Sequence, residues 1–317
     1  EARLLRALSY WHAMDLFGEV PLVTEEQGIG AYQPGQATKK EVFTFIESEL
    51  KDIEDKLVAP LNNEYARADQ AAAWTLLAKL YLNAEVYIEE GKYTECITYC
   101  DKVVNAGYSI NNEYEHLFLA DNHTSNGVIF PIAFDGQNSR TYGGTTFIIS
   151  AAVGGTMNPA DYGIGGGWAG HRITKQFFNK FGADTTYDDR AMFYTDDQDL
   201  VINDLADFSQ GLAVSKFKNI TSTGETASNA TFPDTDFPMF RLADVYLMYA
   251  EAVLRGGSGG SEGTAVTLIN DLRERAYGDD FASEGEISTA DLTLDFVLDE
   301  RARELYWEGH RRTDLIR

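Results

Sequence analysis

Apolar residues recur with helical spacing at both ends of this 317-residue chain and rarely do so in its middle. The helical stretches cover about 2–17, 38–57, 69–82, 93–104, 241–254, 264–276 and 292–309. From about 111 to 238, glycine, asparagine, aspartate, threonine and aromatic residues dominate, and short β-like runs occur at 128–130 and 213–217. This distribution predicts a mainly α protein in which an irregular, glycine- and aromatic-rich lobe is inserted into a helical scaffold.

Local signals support the helical parts. Thr38 and Asp69 are expected N-caps, because a short polar side chain accepts a hydrogen bond from the first turn of a helix. The run WTLLAKLY at 74–81 resembles the start of a tetratricopeptide repeat. We therefore expect an N-terminal helical-repeat part over 1–110, an inserted ligand-binding lobe over 111–238, and a C-terminal helical part over 239–317 that packs on the first.

The charge balance excludes some partners. There are 50 acidic and 26 basic residues, which give a net charge of −24. Such a surface repels phosphate groups and anionic headgroups, so we expect neither nucleic-acid binding nor direct electrostatic binding to a membrane. Cys96 and Cys100 lie four positions apart on one helix face, a spacing that disfavours a disulfide and predicts two small buried residues.

Several sequence blocks follow one another in a characteristic order. Near the C-terminal end these are 240–252 (FRLADVYLMYAEA), 268–276 (LINDLRERA), 300–312 (ERARELYWEGHRR) and 314–317 (DLIR). Upstream lie 6–8 (RAL), 17–23 (FGEVPLV), 167–172 (GWAGHR), 188–190 (DDR) and 208–211 (FSQG). Together they resemble the SusD/RagB family of outer-membrane nutrient-binding lipoproteins, and the resemblance covers nearly the whole chain.

The resemblance implies a function as well as a fold. Members bind oligosaccharides or polysaccharides at the outer face of the outer membrane, without catalysis, and deliver them to a SusC-like TonB-dependent transporter. The family's lipidated N-terminal cysteine, first helices and C-terminal tail have no counterpart here, so we expect a domain truncated at both ends. Lipid anchoring is therefore implied by the resemblance alone.

The candidate ligand site lies in the middle lobe. A neutral glycan offers C–H faces to aromatic rings and hydroxyl groups to carboxylate, amide and guanidinium groups. The predicted ligand-binding residues are Tyr142, Phe147, Asp161, Tyr162, Trp168 and Arg172, with Asn158 and His171 beside them. Glycines between 163 and 167 are expected to let backbone approach a ligand. The alternative is that Tyr162 and Trp168 only pack the lobe.

The charged residues near the C-terminal end favour a structural role. Glu300, Glu304 and Glu308 share one helix face, but arginines are interleaved among them, which lowers carboxyl pKa values and favours ion pairing over acid catalysis. We expect an ion-pair network that holds adjacent helices, with Glu251 as a partner.

No cofactor is expected. The five histidines are scattered, and the sequence lacks His-Glu-x-x-His, a phosphate-binding Gly-Lys-Ser/Thr and a Gly-x-Ser-x-Gly elbow. Asp196, Asp197 and Asp199 are candidate calcium ligands, with a solvated acidic turn as the alternative.

Two other functions stay open. A helical-repeat adaptor that binds only protein would account for the helices but not for the aromatic lobe. A glycoside hydrolase would need two opposed carboxylates, for which Asp161, Asp188 and Asp189 are the candidates.

Overall fold

The computed structural model describes residues 1–25, 27, 30, 33–182 and 185–317, and it confirms a mainly α protein. The helices are α1 Ala2–Phe17, α2 Lys39–Ile53, α3 Gln70–Leu82, α4 Ala84–Ile88, α5 Tyr93–Val104, α6 Thr145–Ala152, α7 Lys175–Phe178, α8 Leu242–Leu254, α9 Glu262–Tyr277, α10 Leu294–Leu305 and α11 Arg311–Ile316. The strands are β1 Val20–Pro21, β2 Gln36–Ala37, β3 Val128–Ile132, β4 Arg172–Ile173, β5 Phe193–Tyr194, β6 Leu212–Val214 and β7 Phe237–Arg241.

The predicted caps are confirmed, and they explain where two helices begin. The Thr38 hydroxyl accepts a hydrogen bond from the Glu41 amide, while the Glu41 carboxylate accepts one from the Thr38 amide, which completes a capping box before α2. The Asp69 carboxylate accepts a hydrogen bond from the Ala72 amide at the start of α3. Cys96 and Cys100 are buried free thiols with their sulfur atoms 4.0 Å apart, as predicted.

The structure divides into two compact units. Unit 1 consists of Glu1–Gly107, Val245–Ala265 and Arg312–Arg317, and unit 2 of Tyr108–Asp244 and Val266–Arg311. The predicted division at 110 and 238 stays a prediction. In unit 1, α1 packs on α2, and both helices bury one face through apolar residues three or four positions apart. Helix α3 packs on α5 and is buried almost all round. Among the described residues, no helix has the length and apolar character needed to cross a bilayer.

Unit 2 contains most of the irregular chain. Strands β3 and β7 pair antiparallel, and β4, β6 and β5 form a three-stranded antiparallel sheet with β6 in the middle. One apolar cluster, around Phe118, Ile149 and Phe217, is formed by residues of the lobe itself. A second, around Ile173 and Tyr306, packs against the three-stranded sheet. The lobe therefore has its own core, on which loops can hold side chains open to solvent.

Candidate functional site

Three aromatic side chains lie exposed beside one another in unit 2. Tyr142, Phe147 and Trp168 are 66%, 46% and 45% exposed. The ring centroids of Tyr142 and Trp168 are 6.4 Å apart, and those of Phe147 and Trp168 are 6.2 Å apart. Successive ring planes are inclined by 42° and 52°. We call these three side chains the ring surface, with Trp168 between its two neighbours.

Helix α6 positions two members of the ring surface. Phe147 lies in its first turn, and the amide of Trp168 donates to the carbonyl of Ser150 at 2.7 Å. The amides of Gly170 and His171 donate to the carbonyl of Ala151, so residues 168–171 satisfy carbonyl groups at the end of the helix. These backbone bonds fix Trp168 over the same short helix that carries Phe147.

Close approaches of backbone explain two glycines of the lobe. A Cβ atom at Gly167 would lie 2.1 Å from the carbonyl oxygen of Val153, so only glycine fits before Trp168. At Gly163 a Cβ would lie 2.0 Å from the carbonyl oxygen of Asn219. The glycine run was predicted to let backbone approach a ligand. At both of these positions it approaches protein backbone instead.

Tyr142 is positioned by two loops that are tied together. The amide of Gly136 donates to the Asp234 carboxylate at 2.8 Å, and the Gln137 side chain donates to the carbonyl of Ser228 at 2.9 Å. The Tyr142 ring then packs against Phe232, with centroids 5.2 Å apart. The Tyr142 ring is thus held on one side by Phe232, while most of its surface stays exposed to solvent.

Two further rings support the Phe147 end. His171 meets Phe147 edge to face, with centroids 4.7 Å apart, and Trp307 meets His171 at 5.9 Å and 90°. Burial lowers the pKa of His171, so its imidazole is neutral at physiological pH. Trp307 was not among the predicted site residues because it follows the charged pattern of α10. The available signal was an aromatic residue placed directly between a helix end and Gly309.

Tyr162 does not lie in the ring surface, contrary to the prediction, whereas the predicted ligand contact of Asp161 stays a prediction. The Tyr162 side chain is 7% exposed and lies in the apolar cluster with Phe118 and Phe217, so the expectation of an open stacking ring is wrong there. Tyr162 is the last residue of a short 3-10 helix, Pro159–Tyr162, which ends at Gly163. Asp161 is exposed and accepts a hydrogen bond from the side chain of Asn158 at 2.9 Å.

Arg172 is occupied by the protein itself. Its guanidinium donates to the carbonyl groups of Asp207, Gln210 and Leu205, and it lies over the Phe208 ring. These contacts hold the 205–210 loop beside β4. The side chain therefore acts as a loop support in this structure, and its predicted contact with a ligand remains a proposal.

Glu300 and Glu304 of α10 form the predicted structural network together with Glu308, although Glu308 does not share their helix face because α10 ends at Leu305. Its members share the feature that each cation contacts a buried carboxylate; they are Arg190, Lys216, Arg241, Arg273, Arg275, Arg303, Asp188, Glu300, Glu304 and Glu308. We call them the buried ion-pair cluster. Burial opposes ionisation of the three glutamates, but the neighbouring cations outweigh it and hold their pKa values below the usual range. Glu251, in unit 1, pairs with Arg255 and Arg317.

Catalytic and metal sites are not evident in the described part of the chain. Both carboxylate oxygens of Asp188 accept hydrogen bonds from Arg190, which leaves this candidate acid without a free oxygen. Within the described residues, no group of three or more histidine, cysteine, aspartate and glutamate side chains is placed to hold a metal ion. That search includes Asp196, Asp197 and Asp199. The candidate ligand site in unit 2 consists of the three rings of the ring surface.

The geometry defines a class of protein: a mainly α fold that carries an exposed ring surface on an inserted lobe. Residues 202–317 match the model of the SusD family. Starch-binding protein SusD from Bacteroides thetaiotaomicron is 34% identical, over 100% of this chain and 63% of that protein. A SusD-like protein from Bacteroides ovatus is 26% identical, over 100% of this chain and 58% of that protein. The chain belongs to the SusD family, and it spans less than two thirds of the length of these relatives.

Solved structures show the same fold. Surface glycan-binding protein A from Bacteroides thetaiotaomicron, in complex with laminarihexaose, matches with a TM-score of 0.77 and 18% identity, over 99% of this chain and 67% of that one. A SusD superfamily protein from Bacteroides fragilis matches with a TM-score of 0.75 and 23% identity, over 99% and 67%. These likenesses confirm the architecture predicted from the sequence.

Proposed function

We propose that the chain binds oligosaccharides at the ring surface without cleaving them. The observation that carries the proposal is the side-by-side exposure of Tyr142, Phe147 and Trp168, at centroid separations of 6.2 and 6.4 Å. Each ring is broad enough to cover the C–H face of one sugar unit, and large exposed apolar patches on soluble proteins mark interaction sites. Three rings in a row suit an oligomer better than a single sugar.

Glucose oligomers are the proposed substrate class. The relative at 34% identity is named for starch, and a protein of the same fold was solved with laminarihexaose, so both ligands are built from glucose. Successive rings are inclined by 42° and 52°, so a ligand that stacks on all three ring faces has to turn along its length.

The cellular role is proposed from family membership. We propose that the protein lies at the outer face of the outer membrane, attached by lipid outside the described chain, and passes its ligand to a SusC-like TonB-dependent transporter. The net charge of −24 favours neutral ligands such as glucans over anionic polysaccharides. Absence of catalysis is supported by the Asp188 carboxylate, whose oxygens are both bound by Arg190.

Calorimetry with maltohexaose and laminarihexaose tests the proposal. Tyr142→Ala and Trp168→Ala should each weaken binding by about 1–3 kcal/mol, the range for stacking on an aromatic ring. Tyr187→Ala is the matched control, because Tyr187 is also exposed in unit 2 but lies outside the ring surface. Circular dichroism verifies that the variants fold. Wild-type affinity in both ring variants would refute the site, and release of reducing ends by purified protein would refute the absence of catalysis.

A further inference from the structure

Trp307, two residues after the end of α10, has an unusual backbone conformation. Helix α10 ends at Leu305, Tyr306 is extended, and Trp307 has a φ of 64°. A residue with a Cβ atom rarely adopts this left-handed conformation, which persists only where surrounding contacts impose it. The contacts that impose this conformation also set the direction of the indole.

Lys216 bridges the two chain neighbours of Trp307. Its ammonium group donates to the carbonyl of Tyr306 at 2.6 Å and to the carboxylate of Glu308 at 2.6 Å. Arg241 holds the other oxygen of the Glu308 carboxylate at 2.5 Å. Because residues 306 and 308 are both fixed by one buried cation, the peptide groups around Trp307 have little freedom to rotate.

The Lys216 ammonium group is itself tightly enclosed. It lies 4.2 Å from the centroids of the Phe118 and Tyr306 rings, and the side chain is fully buried. Burial lowers the pKa of Lys216 to about 7, while the Glu308 carboxylate and the two ring faces favour its charged form. No sugar at the surface touches this residue directly.

The indole of Trp307 is connected to the ring surface through packing contacts. Trp307 contacts His171 edge to face, and His171 contacts Phe147 in the same way. In the described structure, neither the Nε1 atom of Trp307 nor the Nδ1 atom of His171 has a hydrogen-bond partner. The orientation of the His171 ring thus depends on its two aromatic neighbours and on its backbone.

We propose that Trp307 is a positioning residue of the ring surface and that the Lys216 bridge holds it in place. The proposal rests on the proposed function for its effect on affinity. It extends the site from the lobe to the segment after α10, and it makes glucan affinity depend on a buried lysine. The buried ion-pair cluster then has a second role besides stability, since one of its cations determines where Phe147 is supported.

Four variants test this coupling. Lys216→Met removes the bridge while keeping an unbranched side chain, and Lys218→Met is its control. Lys218 lies two residues away and pairs with Glu115 on a partly exposed surface. Trp307→Gly removes the indole and adopts a positive φ without strain, whereas Trp307→Phe keeps an aromatic ring against His171.

Two measurements are made on each folded variant. Calorimetry with maltohexaose and laminarihexaose should show binding about tenfold weaker for Lys216→Met and Trp307→Gly, a change of about 1.4 kcal/mol. The affinity of Trp307→Phe should stay within about threefold of the wild-type affinity, and the affinity of Lys218→Met should equal that of wild type. The second measurement is the NMR signal of the His171 ring. The chain has five histidines, and the His171 signal is assigned by its loss in His171→Gln. This signal should shift in Lys216→Met and stay unchanged in Lys218→Met.

The outcomes separate the two proposals. Wild-type affinity and an unmoved His171 signal in folded Lys216→Met overturn the positioning role. If Lys216→Met does not fold, Trp307→Gly decides it, because lower stability at wild-type affinity would mean that Trp307 only packs the core. If the wild-type protein binds neither oligosaccharide, the proposed function fails, while the His171 signal still decides whether Lys216 positions the ring.

Discussion

Replacing Glu304 with alanine removes a carboxylate that three buried guanidinium groups share. Arg241 and Arg275 each approach it to 2.6 Å, and Arg190 to 3.2 Å. Loss of one partner of a buried ion pair typically costs about 3–5 kcal/mol, because the remaining charge keeps its desolvation penalty. A whole domain is stable by only about 5–15 kcal/mol, so this single change should remove a large share of the stability.

Urea unfolding measures the effect, with Asp299→Ala as the matched control on the same helix. Asp299 pairs with Lys180 at 2.6 Å, but both side chains are about one third exposed, and such pairs contribute about 0–1 kcal/mol. With a urea dependence of about 3 kcal/mol/M, Glu304→Ala should lower the midpoint by about 1–1.7 M. A difference below about 1 kcal/mol between the two variants would refute the argument that burial makes the Glu304 pairs costly to break.

Three further predictions follow from geometry and charge. The carboxyls of the buried ion-pair cluster have pKa values below the usual 4.5 of glutamate, so their stabilisation is present above about pH 4.5 and is lost on acidification; the urea midpoint should fall between about pH 5 and pH 3. Gly167→Ala places a Cβ 2.1 Å from the Val153 carbonyl and should cost about 1–3 kcal/mol and weaken glucan binding, whereas Gly166→Ala, with open space around it, should do neither in melting and calorimetry. Tyr162→Ala should destabilise the fold by about 3–5 kcal/mol in urea, yet leave the affinity of folded protein unchanged; a stable variant that loses binding would restore Tyr162 to the site.

Most of the helical scaffold could be predicted from the sequence because its signals are local. The caps at Thr38 and Asp69 and the apolar spacing of the first helices depend on residues only three or four positions apart. The ion-pair cluster was predictable for a similar reason. Glutamate and arginine residues interleaved on one helix favour ion pairing as the way in which buried charges are compensated. Its partners Arg190 and Lys216 come from distant segments, and no local pattern indicated them.

The candidate site was predictable in composition and less so in arrangement. Helix α6 was missed because its first half, TTFII, is rich in β-branched residues with low helix propensity, and tertiary packing overrides that preference. Without α6, nothing in the sequence could place Phe147 beside Trp168. The burial of Tyr162 was not predictable either, because its ring packs in a cluster with Phe118 and Phe217, which are distant in sequence. Trp307 joins the site through its contact with His171, across more than 130 residues.

The pairing of β3 with β7 gives the lobe an unexpected freedom to evolve. The segment between these strands is about a hundred residues long, yet it begins and ends at adjacent backbone positions, where Ile132 lies opposite Phe237. A different insertion with the same two end strands would therefore fit without stretching the rest of unit 2. Specificity for another sugar could be acquired by exchanging this cassette as a block. The exchanged block would have to retain a lysine equivalent to Lys216, because that residue is one of the block's attachments to the segment after α10.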